Sequence, residues 1–182
     1  DGIDLGSHPK GSVLFDGTFL YGMTQQGGMN NMGVLFKIMP DGTGFTKLLD
    51  FDGTATGSEP FGDLVSDGTF LYGTATTGGM NNLGTLFKIM PDGTGFVKLL
   101  DFDGAANGRN PQGNLTTAGA FLYGMTPHGG TNDLGTLFRI LPNGTGSTKL
   151  LDFDGSASGS NPWGSLHSDG AFLYGLTHYG GT

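Results

Sequence analysis

The chain repeats itself every 51 residues, with no insertion or deletion to break the register. The tetrad Phe-Leu-Tyr-Gly stands at Phe19–Gly22, Phe70–Gly73, Phe121–Gly124 and Phe172–Gly175. Pro9, Pro60, Pro111 and Pro162 keep the same step, as do Gly33, Gly84 and Gly135. The 182 residues form a single repeat domain: units 1–51, 52–102 and 103–153, then a partial unit 154–182. The turn dipeptide Asp1-Gly2 recurs at Asp52-Gly53, Asp103-Gly104 and Asp154-Gly155. A fixed period of this length marks an architecture in which each unit buries its apolar face against the next. With no initiator Met and no signal peptide in the sequence, we expect a processed product or a piece of something longer.

Each unit reads as four strands. In unit 52–102 a short apolar stretch, Leu64-Val65, precedes the turn Ser66-Asp67-Gly68. Thr69–Ala75 is β-branched and aromatic, the composition of a strand. A loop rich in Gly and Asn, Gly78–Gly84, leads to a third strand, Thr85–Met90. Pro91–Gly95 has hairpin-turn chemistry and opens a fourth strand, Phe96–Phe102. We label these positions a, b, c and d. No segment keeps apolar residues at helical spacing for long enough to form a helix.

Leu86-Phe87 and Leu99-Leu100 interrupt the alternation expected of a sheet with one wet face. Strands apolar on both faces want a neighbour on each side, and the blades of a β-propeller supply one. Four short strands in about 50 residues is also the arithmetic of a propeller blade. The expected fold is therefore all-β, with four-stranded antiparallel blades and about three and a half blades per chain. A β-solenoid is the alternative. The columns Phe36, Phe87, Phe138 and Leu35, Leu86, Leu137 should all be buried between blades.

Composition excludes several functions. With 8 basic and 16 acidic residues, net −8, the chain is a poor partner for nucleic acid. The absence of cysteine removes disulfides and thiolate metal sites. No apolar run approaches the roughly 20 residues of a membrane-spanning helix.

The unit D-G-x-F-L-Y-G-x-T-x-x-G-G-x-N-x-x-G-x-L-F-K-I-x-P-D-G-T-G-x-x-K-L-L-D-F resembles the GloVer-type tandem repeat of exported bacterial proteins, over essentially the whole chain. The resemblance implies an exported, propeller-like protein at the cell surface or outside the cell. In that family a C-terminal sorting signal often provides the anchor, and this sequence has none, so anchoring does not carry over. The resemblance transfers no activity and no catalytic residue.

Propellers have 4–8 blades, and 182 residues do not complete four units of 51. The chain ends after positions a and b of its fourth unit. It is then part of a longer propeller, a self-associating chain, or an irregular closure. We expect a homo-oligomer formed through the open blade ends, because an unpaired strand edge invites pairing.

The variable columns point to a candidate ligand face. The d–a connections differ: His8-Pro9-Lys10, Glu59-Pro60-Phe61, Asn110-Pro111-Gln112 and Asn161-Pro162-Trp163. So do the b–c loops: Gln25-Gln26, Thr76-Thr77, Pro127-His128 and His178-Tyr179. In a propeller these segments share one face. Arg109, Gln112, His128, Trp163, His178 and Tyr179 are the candidate ligand-binding residues. Aromatic platforms with planar hydrogen-bonding groups suit a glycan. Ordinary drift in exposed loops accounts for the same variation.

Asp50-Phe51-Asp52-Gly53 and its copies at Asp101 and Asp152 are a candidate Ca²⁺ site, although the following loop offers no further carboxylate. An Asp turn at a strand end, hydrogen-bonding its own backbone, is the preferred reading, and we expect no cofactor. Glu59 is the only glutamate, so a Glu–Glu catalytic pair is impossible and no Asp is set apart from its copies. No catalytic residue is assigned. The expected function is non-catalytic: structural, adhesive or assembly. Glycan binding is the alternative, and a polysaccharide-cleaving enzyme fits the residues least. Asn114-Leu115-Thr116 and Asn143-Gly144-Thr145 match the N-glycosylation pattern.

Overall fold

The computed structural model describes residues 5–181, which form strands, turns and loops without a helix. The Asp1-Gly2 copy of the turn lies outside these residues. Four antiparallel sheets follow one another along the chain. The first holds β1 (Ser7–Pro9), β2 (Leu14–Phe15), β3 (Leu20–Gln26), β4 (Val34–Ile38) and β5 (Thr46–Asp50). The second holds β6 (Ser58–Pro60), β7 (Val65–Ser66), β8 (Leu71–Thr77), β9 (Thr85–Ile89) and β10 (Val97–Asp101). The third holds β11 (Thr116–Ala118), β12 (Phe121–Thr126), β13 (Thr136–Ile140) and β14 (Thr148–Asp152). The last is the pair β15 (His167–Ser168) and β16 (Leu173–Tyr174). Within each of the first three sheets, positions a to d lie side by side in chain order, and the last sheet holds a and b.

Position a departs from the expected single strand. In the second sheet β7 pairs with the start of β8 through Val65↔Tyr72, and β6 pairs with its end through Pro60↔Ala75. The segment expected to be a connection thus belongs to the sheet. Pro60 has no N–H to give the ladder, and Glu59 sits at φ 55, so the strand breaks between its two halves. Position d departs as well. The register shifts between Lys98 and Leu100, leaving Leu99 as a bulge against β9. Leu99 and Leu100 consequently both pack toward the third sheet, rather than on opposite faces.

The core lies between sheets, not within them. Leu35 and Phe51 of the first unit meet Phe87 and Ile89 of the second. Leu86 and Phe102 of the second meet Phe138 and Ile140 of the third. Phe51 packs edge-to-face on Phe87 at 5.6 Å, and Phe102 on Phe138 at 5.4 Å. Each such aromatic contributes about 1.5–3 kcal/mol by burial. Phe87, Phe138, Leu35 and Leu86 are fully buried, whereas Phe36 and Leu137 are only half-buried. The reason is directional. The Phe column projects toward the preceding unit and the Leu column toward the following one. Phe36 has no described sheet ahead of it, and Leu137 faces only the two-stranded sheet.

Two devices fix the spacing of the units. Gly84 has φ +105, and a Cβ there would lie 2.6 Å from the Ala75 carbonyl oxygen and 2.7 Å from Pro111 Cδ of the next unit. Only glycine lets that proline seat. The second device is a ladder of hydrogen bonds between the a segments. The Ser12 N–H donates to Asp63 Oδ1. The Asp63 N–H donates to Asn114 Oδ1 at 2.7 Å, and the Asn114 N–H to Ser165 Oγ at 3.0 Å. Every step spans 51 residues. The inner edges are thereby stitched unit to unit, as in the blades of a propeller.

Candidate functional site

The variable segments lie together, and the backbone shows why. The outer half of position a pairs with the end of position b in every unit: Ser7↔Gln26, Ser58↔Thr77, Arg109↔His128 and Ser160↔Tyr179. The residue before each fixed proline, His8, Glu59, Asn110 or Asn161, has φ between 53 and 56. This is left-handed backbone, which Asn tolerates better than His or Glu. It turns the Asn110 and Asn161 side chains back onto the preceding unit. Asn110 Nδ2 donates to the Thr76 carbonyl at 3.1 Å, and Asn161 Nδ2 to the Pro127 carbonyl at 2.9 Å.

The candidate residues divide into two clusters. In the fourth unit the Trp163 and His178 rings stack at 5.2 Å with 14° between planes. The Tyr179 ring stands edge-on to His178 at 4.3 Å. Trp163 and Tyr179 remain 53% and 62% exposed, so the stack presents open aromatic surface. In the third unit Arg109 is already engaged. Its Nε and Nη2 reach the two Asp133 carboxylate oxygens at 3.1 and 2.7 Å. The Arg109 hydrogen bonds hold Asp133 below the usual carboxylate range, helped by the Gly129 N–H. Arg109 is correspondingly held more firmly protonated by Asp133. The His128 carbonyl accepts the Arg109 N–H at 2.9 Å. Asn161 joins the two clusters, with its Nδ2 3.4 Å from His128 Nδ1. Gln112 is half-buried at the column that Trp163 occupies one unit later.

The paired aspartates are occupied separately. Asp50 accepts the Met29 N–H at 2.9 Å and pairs with Lys47 at 2.8 Å. Asp52 accepts the N–H groups of Ala55 and Thr56 in its own turn. Among the described residues, no three His, Asp or Glu side chains converge as a metal would require. Of the two glycosylation patterns, Asn114 is committed to Asp63, and Asn143 Oδ1 accepts the Thr145 N–H at 2.9 Å.

Three arrangements escaped the sequence reading. Tyr21, Tyr72 and Tyr174 each donate to an aspartate five residues earlier, at 2.7–2.8 Å. The Asp and Tyr columns recur together, except that Ala118 replaces the Asp in the third unit. The inner ladder was visible only as a small polar residue after a fixed glycine. The Arg109–Asp133 pair could have been found by column comparison. Ser58 and Asn82 of the second unit become Arg and Asp together in the third.

The sequence pattern of the Gloeobacter/Verrucomicrobia repeat matches residues 2–182. The chain belongs to this family. In this chain the repeat is an all-β unit that stacks in propeller fashion. The repeat domain is similar to a chain of the nidogen/laminin complex, with TM-score 0.59, 20% identity, and coverage of 87% of this chain and 51% of that one. It is also similar to a protein assigned as TolB from Agrobacterium tumefaciens, with TM-score 0.57, 15% identity, and coverage of 95% and 60%. At these identities the likeness establishes the propeller fold alone. This repeat domain spans half to three-fifths of those chains. No curated protein matches it.

Proposed function

We propose that the chain is a non-catalytic repeat module with a structural, adhesive or assembly role at the cell surface or outside the cell, self-associating through its open blade ends. The resemblance to exported repeat proteins supports the location. One observation carries the non-catalytic reading: at the c–d turns a carboxylate and an amide do the same work. Asp41 and Asp92 accept the Thr43 and Thr94 N–H groups at 2.9 Å, and Asn143 accepts that of Thr145 at the same distance. A carboxylate needed for acid–base chemistry cannot be exchanged for an amide in this way. Light scattering on the purified chain tests the assembly reading. A species above 18.8 kDa is expected, and a monodisperse monomer refutes it.

Glycan binding on the variable face is the second reading, supported by the exposed Trp163–His178–Tyr179 stack. A glycan array is its test. Binding lost on Trp163→Ala favours it, and an array without hits removes it. Turnover on a polysaccharide panel, abolished by replacing a single Asp, would overturn the non-catalytic reading.

A further inference from the structure

The seven methionines fall into three environments. Met23 and Met125 are buried. Met32, Met39 and Met90 are half-buried, at 36–39% exposure, and each folds back onto a turn. The Thr43 hydroxyl donates to Met39 Sδ at 3.7 Å, and the Thr94 hydroxyl to Met90 Sδ at the same distance. Met32 Sδ lies against Gly53, where an added Cβ would stand 2.9 Å from it. Met29 and Met80 are unlike all of these, at 81% and 80% exposure.

These two hold the same place in the b–c loops of the first and second units. The backbone around them is pinned. The Met29 N–H donates to Asp50 Oδ1 at 2.9 Å, and the Met80 N–H to Asp101 Oδ1 at 2.8 Å. The next residue is tied as well, with Asn30 Nδ2 on the Phe51 carbonyl at 3.0 Å and Asn81 Nδ2 on that of Phe102 at 2.9 Å. In the third unit Thr131 takes the column. Its N–H donates to Asp152 Oδ1 at 3.1 Å and its hydroxyl to Oδ2 at 3.0 Å. The loop thus keeps its aspartate contact without a thioether, and the two Met side chains hold nothing in place. Met80 stands in the middle unit with a sheet on either side, yet matches Met29 in exposure. The exposure therefore belongs to the loop position.

We propose that Met29 and Met80 are the oxidation sites of the chain, at which peroxide changes the surface and leaves the fold alone. A sulfur lone pair attacks one peroxide oxygen and forms the S–O bond. The O–O bond breaks, and the second oxygen takes the proton of the first and leaves as water. Sulfur is oxidised by two electrons and the peroxide is reduced. The sulfoxide is polar where the thioether was apolar, and at these two positions it stays in water. At Met39 and Met90 a threonine hydroxyl already occupies the sulfur and the turn blocks part of the approach. Met23 and Met125 are reached only when the packing opens.

The test adds hydrogen peroxide to the folded full chain and follows intact mass, peptide maps and melting temperature. One oxygen at Met29 and one at Met80 should enter before any other. The species so oxidised should keep the melting temperature of untreated protein and elute earlier from a hydrophobic-interaction column. Met29→Leu with Met80→Leu should abolish the fast uptake. Thr131→Met should add a third fast site. Oxidation of Met39 or Met90 at the same rate overturns the proposal. So does a fall in melting temperature when only Met29 and Met80 are oxidised, or a Thr131→Met chain whose new thioether reacts slowly.

Discussion

Asn114 holds Asp63 at two points: its Oδ1 accepts the Asp63 N–H at 2.7 Å, and its Nδ2 donates to Asp63 Oδ2 at 2.6 Å. The aspartate carboxylate also receives the Ser12 N–H. One side chain thus links three consecutive units. Asn114→Asp replaces the donor by a second carboxylate facing the first. It should destabilise the chain by about 1–3 kcal/mol at neutral pH. Two ionised carboxylates at this spacing repel each other. Part of the loss should therefore return as the pH falls toward about 4. Urea unfolding at two pH values checks both signs.

The aromatic columns should rank by position in the stack. Phe87→Ala removes a fully buried ring with neighbours in both Phe51 and Phe96, at a cost of about 3–5 kcal/mol. Phe36→Ala removes a half-buried ring stacked on Phe45 and should cost clearly less. Equal costs in chemical denaturation would refute the front-to-back direction of packing.

Acid should weaken the fold. Asp16 and Asp169 are held below the ordinary carboxylate range, first by the Phe19 and Phe172 N–H groups. At Asp67 burial pulls upward, but the Phe70 N–H and Tyr72 hydroxyl outweigh it, and the net direction is again down. A carboxylate depressed in the folded state stabilises above its unfolded pKa of about 4 and loses that contribution as pH falls through the folded value. Denaturation midpoints should be level from neutral pH to about 5 and fall below about 4. A level profile down to about pH 2 would contradict the turn-cap role.

The same pairs delay phenol ionisation. Burial, then the Asp16 hydrogen bond, pushes the Tyr21 hydroxyl up to about 12. Burial and Asp67 raise that of Tyr72 as well. A phenol raised in the folded state stabilises below its unfolded pKa of about 10 and loses this as pH climbs through the folded value. Absorbance titration of the five tyrosines should show a late fraction, reduced by Tyr72→Phe. A single titration near pH 10 would exclude it.

The Arg109–Asp133 pair is surface-exposed, with side chains 35% and 60% accessible. Asp133→Asn should cost about 1 kcal/mol or less. Asn31 and Asn82 already make the corresponding bond to the loop glycine, at 3.0 and 3.1 Å. A larger loss in melting experiments would give the ion pair a role beyond the loop.

The strands were legible because the chemistry of b recurs four times and that of c and d three times. Phe70–Gly73 and Leu86-Phe87 announce b and c wherever they stand. The split of position a was not legible, because Ser58-Glu59-Pro60 has no strand composition and pairs only through the end of β8. Spacing alone does not reveal a register shift, so in sequence the bulge at Leu99 looks like two-sided burial. The candidate residues were legible as outliers among columns, but their engagement was not. Arg109 is spent on Asp133, a residue in another loop 24 positions away. Trp163, His178 and Tyr179 do meet, because Ser160↔Tyr179 pairing sets their two segments side by side.

The front-to-back direction of the Phe and Leu columns gives the molecule a head and a tail that are chemically unlike. A patch of one kind on the head finds its match only on the tail. Two copies related by a twofold axis would set like against like and satisfy neither surface. A contact between copies built from these surfaces would therefore be heterologous, closing into a ring where the per-unit rotation allowed and otherwise continuing as a filament.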